Sequence, residues 1–272
     1  MKTVREPAVA GMFYPASPTK LSAEVKGHLD SAHLKKSYEK VFGIVSPHAG
    51  YAYSGKTAAH AYKTVENKNY KTVVVISPSH REYFPGISIY NGDAYKTPLG
   101  EIELDKEMIA RLVAEKSSIF EGMNGHRSEH ALEVQLPFLQ TVLKGFNLVP
   151  IVMGDQRKSF VESLAEKLAQ VIDDETLIVA SSDLSHFHSK ADADKLDSKV
   201  EKRISGFDYE GLLNDLENQK CEACGGGPIA VLLKTAEKKG ILNVEVLSRT
   251  DSGDTTGDNS EVVGYLSAVV FS

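Results

Sequence analysis

Short apolar runs alternate along this chain with longer stretches in which apolar and polar positions are mixed. The apolar runs cover residues 41–45, 71–76, 147–153 and 176–180. Runs of this kind, rich in β-branched residues and apolar on both faces, are typical of buried parallel strands. The mixed stretches that predict helices cover residues 17–36, 55–66, 157–172, 190–204 and 208–217. Strands alternating with helices predict an α/β fold with a largely parallel central sheet flanked by helices.

We expect one domain over residues 1–272, because no Pro/Gly/Ser-rich linker divides the chain. Extended structure is expected over 83–104 and closing strands over 244–249 and 262–271, with a polar loop at 251–260. Three further helices are expected over residues 105 to about 116, 129 to about 144, and 228–239. Pro137 should kink the second of these helices or delay its start.

Composition narrows the class of protein. The chain has 272 residues, of which 42% are hydrophobic and 25% charged, with a net charge of −6. These values exclude a disordered chain and disfavour binding to nucleic acid or to an anionic membrane. No apolar run approaches the length of a membrane span, and the N-terminus lacks the apolar region of a signal peptide. We therefore expect a cytoplasmic protein.

The only two cysteines, Cys221 and Cys224, agree with a reducing compartment. Their CxxC spacing could form a redox pair, but the flanking pattern of a thioredoxin-like site is missing. Cys224 opens a glycine-rich segment before a helix, where a helix N-terminus would stabilise a thiolate.

Residues able to carry chemistry follow several of the apolar runs. His48 follows the first run, His80 the second, and Asp183 and His186 the run at 176–180. Because ligands bind at the carboxyl ends of strands in open α/β sheets, these side chains should gather at one edge. Together with Cys224 they predict a shared polar pocket suited to a transition metal.

Two further pairs allow more than one interpretation. His126 and His130 have the spacing of a helical metal pair, although a solvated helix face is the commoner explanation. Glu129 and Glu133 lie one turn apart, and such pairs are also usually solvated. If that helix lies beside the pocket, one glutamate could orient a histidine.

At these residues the sequence resembles the Memo family over almost its whole length, and its size is that of a prokaryotic member. The motifs that carry the resemblance are Ala10-Gly11-Met12-Phe13-Tyr14-Pro15, Ser46-Pro47-His48-Ala49-Gly50-Tyr51, Ser77-Pro78-Ser79-His80, Thr97-Pro98-Leu99-Gly100, Glu129-His130-Ala131-Leu132-Glu133, Ser181-Ser182-Asp183-Leu184-Ser185-His186 and Cys224-Gly225-Gly226-Gly227-Pro228-Ile229.

The resemblance implies a fold similar to class III extradiol (LigB-type) non-haem iron dioxygenases. It implies a pocket formed by His48, His80 and Cys224, with Asp183 and His186 nearby. The dioxygenases hold iron with two histidines and a carboxylate, whereas this chain offers a cysteine, which favours Fe, Cu or Zn. Genes of prokaryotic Memo-like proteins are associated with those of AMMECR1-like and radical SAM proteins, which implies a shared pathway.

Three hypotheses follow. In the first, the chain is a metal-dependent oxidoreductase in which His48, His80 and Cys224 hold one transition-metal ion and His186, oriented by Asp183, is the general acid/base. In the second, it is a binding or scaffold protein whose vestigial pocket takes a peptide or small molecule. In the third, it is a metal-free cysteine enzyme with Cys224 as nucleophile and His186 or His80 as base.

Overall fold

The computed structural model describes residues 2–113 and 118–272. Its strands are β1 (Val4–Arg5), β2 (Val41–Ser46), β3 (Thr72–Pro78), β4 (Ile87–Tyr90), β5 (Ala94–Thr97), β6 (Gly100–Glu103), β7 (Ile119–Gly122), β8 (Asn147–Met153), β9 (Thr176–Ser181), β10 (His186–His188), β11 (Asn243–Asp251) and β12 (Val262–Phe271). Its α-helices are α1 (Pro18–Ser31), α2 (Tyr51–Lys63), α3 (Lys106–Leu112), α4 (Leu136–Val142), α5 (Lys158–Val171), α6 (Lys190–Ser205), α7 (Tyr209–Glu217), α8 (Gly226–Lys238) and α9 (Gly253–Thr256).

A single α/β domain is built around one mixed sheet. The strand order is β10-β12-β2-β9-β3-β8-β4-β7, and β11 pairs with β12. The central strands β2, β9, β3 and β8 are parallel, as predicted. The flanks are not: β12 is antiparallel to β2, and β4 is antiparallel to β8. The sheet is therefore mixed around a parallel centre.

Burial on both faces explains the apolar character of the central strands. Every residue of β3 is buried. Helix α2 packs against β2, β11 and β12, while α8 packs against β2, β3 and β9. Burying each large aliphatic side chain contributes about 1.5–3 kcal/mol, so these strands supply much of the core stability. The apolar positions Leu21, Val25 and Leu29 form the buried face of α1, whereas His33, expected on the same face, is exposed beyond the end of the helix.

Most predicted elements are present, but several bounds differ. The helix predicted over 17–36 ends at Ser31, and the helix predicted over 55–66 begins at Tyr51 and ends at Lys63. The predicted helix over 129–144 begins only at Leu136, after a 3₁₀ turn over Glu133–Gln135. Pro137 lies in the first turn of α4, where its missing N–H costs nothing. Helix α8 begins at Gly226, two residues before the predicted start. The predicted end of α3 near residue 116 lies outside the described residues.

A smaller sheet holds the N-terminal segment, with strand order β1-β5-β6. Strand β1 pairs in parallel with β5, and β5 is antiparallel to β6. Among the described residues, no helix is both long and apolar enough to cross a membrane.

Candidate metal centre

The loops after three neighbouring strands meet at one edge of the sheet. His48 follows β2, Asp183 follows β9 and His80 follows β3, in the spatial order β2-β9-β3. Cys224 reaches the same place from the loop before α8, where its N–H donates to the Asp183 carbonyl at 3.2 Å. Ligand atoms of His48, His80 and Cys224 all lie within 4.8 Å of one another. The predicted convergence of two imidazoles and a sulfur is thus present in the folded chain.

The His48 ring is held in one tautomer. Its Nδ1 lies 2.8 Å from the Ser181 hydroxyl oxygen. That hydroxyl donates its own proton to the Ala131 carbonyl at 2.7 Å and accepts from the Gln135 side-chain amide at 2.8 Å. Because the Ser181 proton is already engaged, His48 Nδ1 must be the donor to Ser181. The unprotonated Nε2 of His48 therefore faces the pocket, 3.1 Å from the Cys224 sulfur.

Glu129 holds His80 in the same way. One carboxylate oxygen accepts from His80 Nδ1 at 2.9 Å, and the other accepts from the His80 backbone N–H at 2.6 Å. Burial alone would raise the pKa of Glu129, but hydrogen bonds from His80 and from the Ala131 N–H lower it to about 2. Glu129 is buried, so the prediction of a solvated glutamate is wrong, and the alternative that it orients a histidine is confirmed.

Cys224 lies in a close-packed turn. Its sulfur accepts a hydrogen bond from the Asp183 N–H at 3.2 Å, and the Gly225 N–H donates to the Ser182 hydroxyl at 3.0 Å. A Cβ on Gly225 would overlap the Ser181 carbonyl oxygen, so only glycine fits there.

Electrostatics leaves the cysteine and its nearest histidine neutral. Burial, reinforced by the nearby Asp183 carboxyl, raises the pKa of the Cys224 thiol. Burial lowers the pKa of His48 well below its ordinary value. The raised pKa opposes the predicted Cys224 thiolate in the metal-free chain. A neutral thiol beside a neutral imidazole also gives no support to a metal-free nucleophile.

The donor set fits a transition-metal ion. In both histidines Nδ1 is engaged by a neighbouring group, the arrangement that usually orients metal-bound imidazoles. Tetrahedral bonds of about 2.0–2.3 Å place donor atoms roughly 3.3–3.8 Å apart. Ligand atoms that lie within 4.8 Å of one another would therefore move together by about 1.5 Å at most. Coordination would also displace the Cys224 proton.

Asp183 and His186 lie beside this set. One Asp183 carboxylate oxygen accepts from the His48 backbone N–H at 2.7 Å, and the other lies 3.9 Å from His48 Nε2. Burial raises the pKa of Asp183 to about 7, although backbone hydrogen bonds from His48 and Ala49 oppose this. His186, at the start of β10, is half-buried, and burial lowers its pKa. Within the described part of the chain no hydrogen bond joins Asp183 to His186; Asp183 instead holds the His48 loop.

His130 is a pocket residue that the sequence prediction assigned to a solvated face. Its ring stacks on His80 with centroids 4.8 Å apart, and its centroid lies 5.5 Å from that of His48. Burial lowers the pKa of His130 to about 4. His80, Glu129 and His130 form a second group whose ligand atoms lie within 4.8 Å of one another.

His126 does not join this group. It is fully buried, 2.6 Å from the Tyr95 hydroxyl and 3.2 Å from the Ser88 carbonyl. The solvated-face prediction is wrong for both histidines because residues 126–132 form a packed loop, not a helix. The helical pairing of His126 with His130 is therefore not formed either.

Glu133 attaches the N-terminal segment to the pocket. It is fully buried, forms an ion pair with Arg5, accepts from the Ala8 and Val9 N–H groups at 2.8 and 3.0 Å, and accepts from the Tyr14 hydroxyl. This attachment places the Phe13 ring 4.7 Å from that of His130. No local pattern in the sequence indicates the ion pair, because its two residues are far apart in the chain.

A cleft of about 500 Å³ opens onto this region. Its walls include Asp183, His130 and His186 together with aromatic side chains from four parts of the chain, Phe13, Tyr53, Phe187 and Tyr265. Cys221 is buried away from these walls and, like Cys224, is a free thiol.

Comparison with known proteins gives consistent matches along the whole chain. A family model described as "Memo-like protein" matches residues 5–269. A MEMO1 family protein of Thermoplasma volcanium is 35% identical, over 98% of this chain and 98% of its own length. One from Methanopyrus kandleri is 36% identical over 98% of each chain, and one from Methanococcus maripaludis is 38% identical over 98% of this chain and 99% of its own. The crystal structure of an uncharacterized protein from Escherichia coli K12 superimposes with a TM-score of 0.48 at 12% identity, covering 74% of this chain and 86% of that one.

Proposed function

Since this chain belongs to the Memo family, we propose that it is a metal-dependent oxidoreductase of the dioxygenase type, with one iron, copper or zinc ion held by His48, His80 and Cys224. One observation carries the proposal: both imidazoles have Nδ1 engaged, by Ser181 and by Glu129, while ligand atoms of the two rings and the sulfur converge. The proposal includes a fold similar to that of LigB-type dioxygenases and a pathway shared with AMMECR1-like and radical SAM proteins.

The chain's own groups have separate roles in this proposal. A bound ion would supply Lewis acidity and, for iron or copper, one-electron chemistry. His186 lines the cleft and, because burial lowers its pKa, is a neutral imidazole able to take a proton from substrate at neutral pH. Asp183, with a pKa of about 7, can hold a proton on a carboxylate oxygen 3.9 Å from His48 Nε2.

Metal affinity tests the proposal directly. The purified protein is titrated anaerobically with Co²⁺, Fe²⁺, Cu⁺ and Zn²⁺ against a chromophoric chelator. We expect His48→Gln, His80→Gln and Cys224→Ser each to weaken binding by about 100-fold or more, since losing a ligand should exceed the roughly 10- to 100-fold cost of losing an outer partner. Cobalt should show a thiolate charge-transfer band that Cys224→Ser abolishes.

Matched controls separate ligand loss from general damage. His60→Gln removes a histidine of α2 whose Nδ1 lies 2.9 Å from the Lys56 carbonyl, and Cys221→Ser changes the other thiol. Both should change affinity less than about twofold. Equal affinity of the wild type and the three ligand variants would overturn the proposal.

A second function, binding without catalysis, is favoured by the exposed aromatic residues at the cleft. Tyr53 is 46% exposed and Phe187 is 71% exposed, and both line the same cleft, as apolar side chains do in ligand-binding grooves. A ligand bound equally well by the wild type and by the Cys224→Ser variant, with no turnover in the metal-loaded protein, would favour this function over the oxidoreductase.

A further inference from the structure

The walls of the cleft carry negative charge. Two exposed acidic residues line it, Asp258 and Glu261, together with the buried Asp183, whose pKa burial raises to about 7. The lining, all from the described part of the chain, includes neither lysine nor arginine. The Asp258 carboxylate accepts hydrogen bonds from the Ser260 N–H and hydroxyl at 2.9 and 2.6 Å, which lowers its pKa. The cleft therefore repels anionic ligands and attracts cationic ones.

Cations around the cleft are neutralised or face elsewhere. Lys190 is paired with Asp251 at 2.7 Å and with Asp254 at 2.6 Å. Arg249 is paired with two acidic residues of α6, Asp194 and Glu201, each at 2.8 Å. Arg81, exposed on the loop after His80, influences His130 but does not line the cleft. An experiment on the charge preference of the cleft must therefore exclude a contribution from Arg81.

Aromatic side chains supply the rest of the walls. Phe13, Tyr53, Phe187 and Tyr265 come from four separate parts of the chain. Phe187 has a backbone φ of 61°, a conformation that residues other than glycine rarely adopt, and its ring stays largely in solvent. Aromatic faces attract ammonium groups as well as apolar bodies. A strained backbone that exposes a ring beside a cavity is typical of a ligand-binding position.

We propose that the substrate of this cleft is an organic cation: an amine on an aromatic or other apolar body. The ammonium group would lie near Asp258 and Glu261, and the body would pack between Phe13, Tyr53 and Phe187. This inference rests on the proposed function only in that the cleft opens onto the same pocket. Binding of the amine itself requires no metal.

Three probes that share a 4-hydroxyphenylethyl body and differ in the charge of the terminal group test the proposal. Tyramine is a cation, tyrosol is its neutral alcohol, and 3-(4-hydroxyphenyl)propionate is the matching anion. Dissociation constants are measured by NMR titration of the metal-free protein at neutral pH and low salt. We expect tyramine to bind roughly three- to tenfold more tightly than tyrosol, and the anion to bind more weakly than tyrosol, with the preference reduced by salt.

Variants locate the effect. The double variant Asp258→Asn/Glu261→Gln should remove the preference for tyramine over tyrosol, whereas Asp30→Asn, an exposed acid of α1, should keep it. Phe187→Ala should weaken both ligands. Anion binding as tight as tyramine binding, or a preference lost in Arg81→Ala but kept in the double variant, would overturn the proposal. So would the absence of millimolar binding of any probe to folded protein.

The outcome is separable from that of the metal proposal. If amine binding persists in His80→Gln and Cys224→Ser while no variant changes metal affinity, the oxidoreductase proposal fails and the amine site stands. If metal affinity falls as expected but the amine preference is absent, only the amine site fails.

Discussion

Replacing Glu133 with glutamine tests the attachment of the N-terminal segment. One Glu133 carboxylate oxygen accepts from the Val9 N–H and the Tyr14 hydroxyl, and the other accepts from the Ala8 N–H and Arg5. A glutamine can present an oxygen to only one of these pairs, and its amide then faces donors on the other side. In either orientation the Arg5 guanidinium loses its counter-charge while it stays buried.

The expected cost is that of breaking a buried ion pair by removing one partner, about 3–5 kcal/mol. The remaining Arg5 bonds, to the His126 carbonyl at 2.9 Å and the Glu129 carbonyl at 2.6 Å, solvate the cation but do not neutralise it. The double variant Arg5→Met/Glu133→Gln removes the unpaired charge, so it should recover about 1–2 kcal/mol of the loss.

Urea unfolding, followed by circular dichroism at fixed pH, measures both changes. Glu101→Gln is the control, because its pair with Lys2 at 2.7 Å is exposed and should be worth less than about 1 kcal/mol. A loss below about 1 kcal/mol for Glu133→Gln, or a double variant less stable than that single variant, would refute the reasoning.

Three further predictions concern the pocket and its surroundings. Glu129→Gln removes the charge that orients a pocket histidine and should weaken metal binding about 10- to 100-fold in chelator competition, whereas the exposed Glu121→Gln should not. Gly225→Ala forces a Cβ against the carbonyl at the end of β9 and should cost about 2 kcal/mol or more in urea unfolding, whereas Gly145→Ala, which meets open space, should be neutral. Burial raises the pKa of Asp197 to about 6 from its usual 3.8, so the stability that its proton supplies below pH 4 is lost as pH rises through 6. Between pH 4 and pH 8 the free energy of unfolding of Asp197→Asn should therefore rise relative to that of the wild type by up to about 2 kcal/mol, measured by thermal or urea unfolding. A difference that stays constant with pH would contradict this.

The parts of the fold that follow from local pattern were predictable. Strands β8 and β12 coincide with the predicted runs at 147–153 and 262–271, because continuous apolar positions leave a strand little freedom in where it begins and ends. His48 and His80 were placed correctly because parallel strands end at the same edge of a sheet. Strands β1, β7 and β10 were not predicted, since two to four residues are too few to show a period.

The parts of the site that depend on distant contacts were not predictable. His130 enters the pocket because residues 126–132 leave the helical path and Phe13 packs against its ring. The Arg5–Glu133 pair depends on where the N-terminal segment crosses the molecule. Neither contact can be predicted from the residues adjacent to it in the sequence.

The position of β9 between β2 and β3 has a mechanical consequence. The first residues of the two histidine loops start two strand spacings apart, roughly 9.5 Å, and the loops close most of that gap. An ion bound there would cross-link three segments that no short stretch of chain connects, so every one of them must dock before the ion can be held. Occupancy of the site would then report the docking of β2, β3 and the loop before α8. A cation that prefers the native state would raise the free energy of unfolding with the logarithm of its concentration over its dissociation constant.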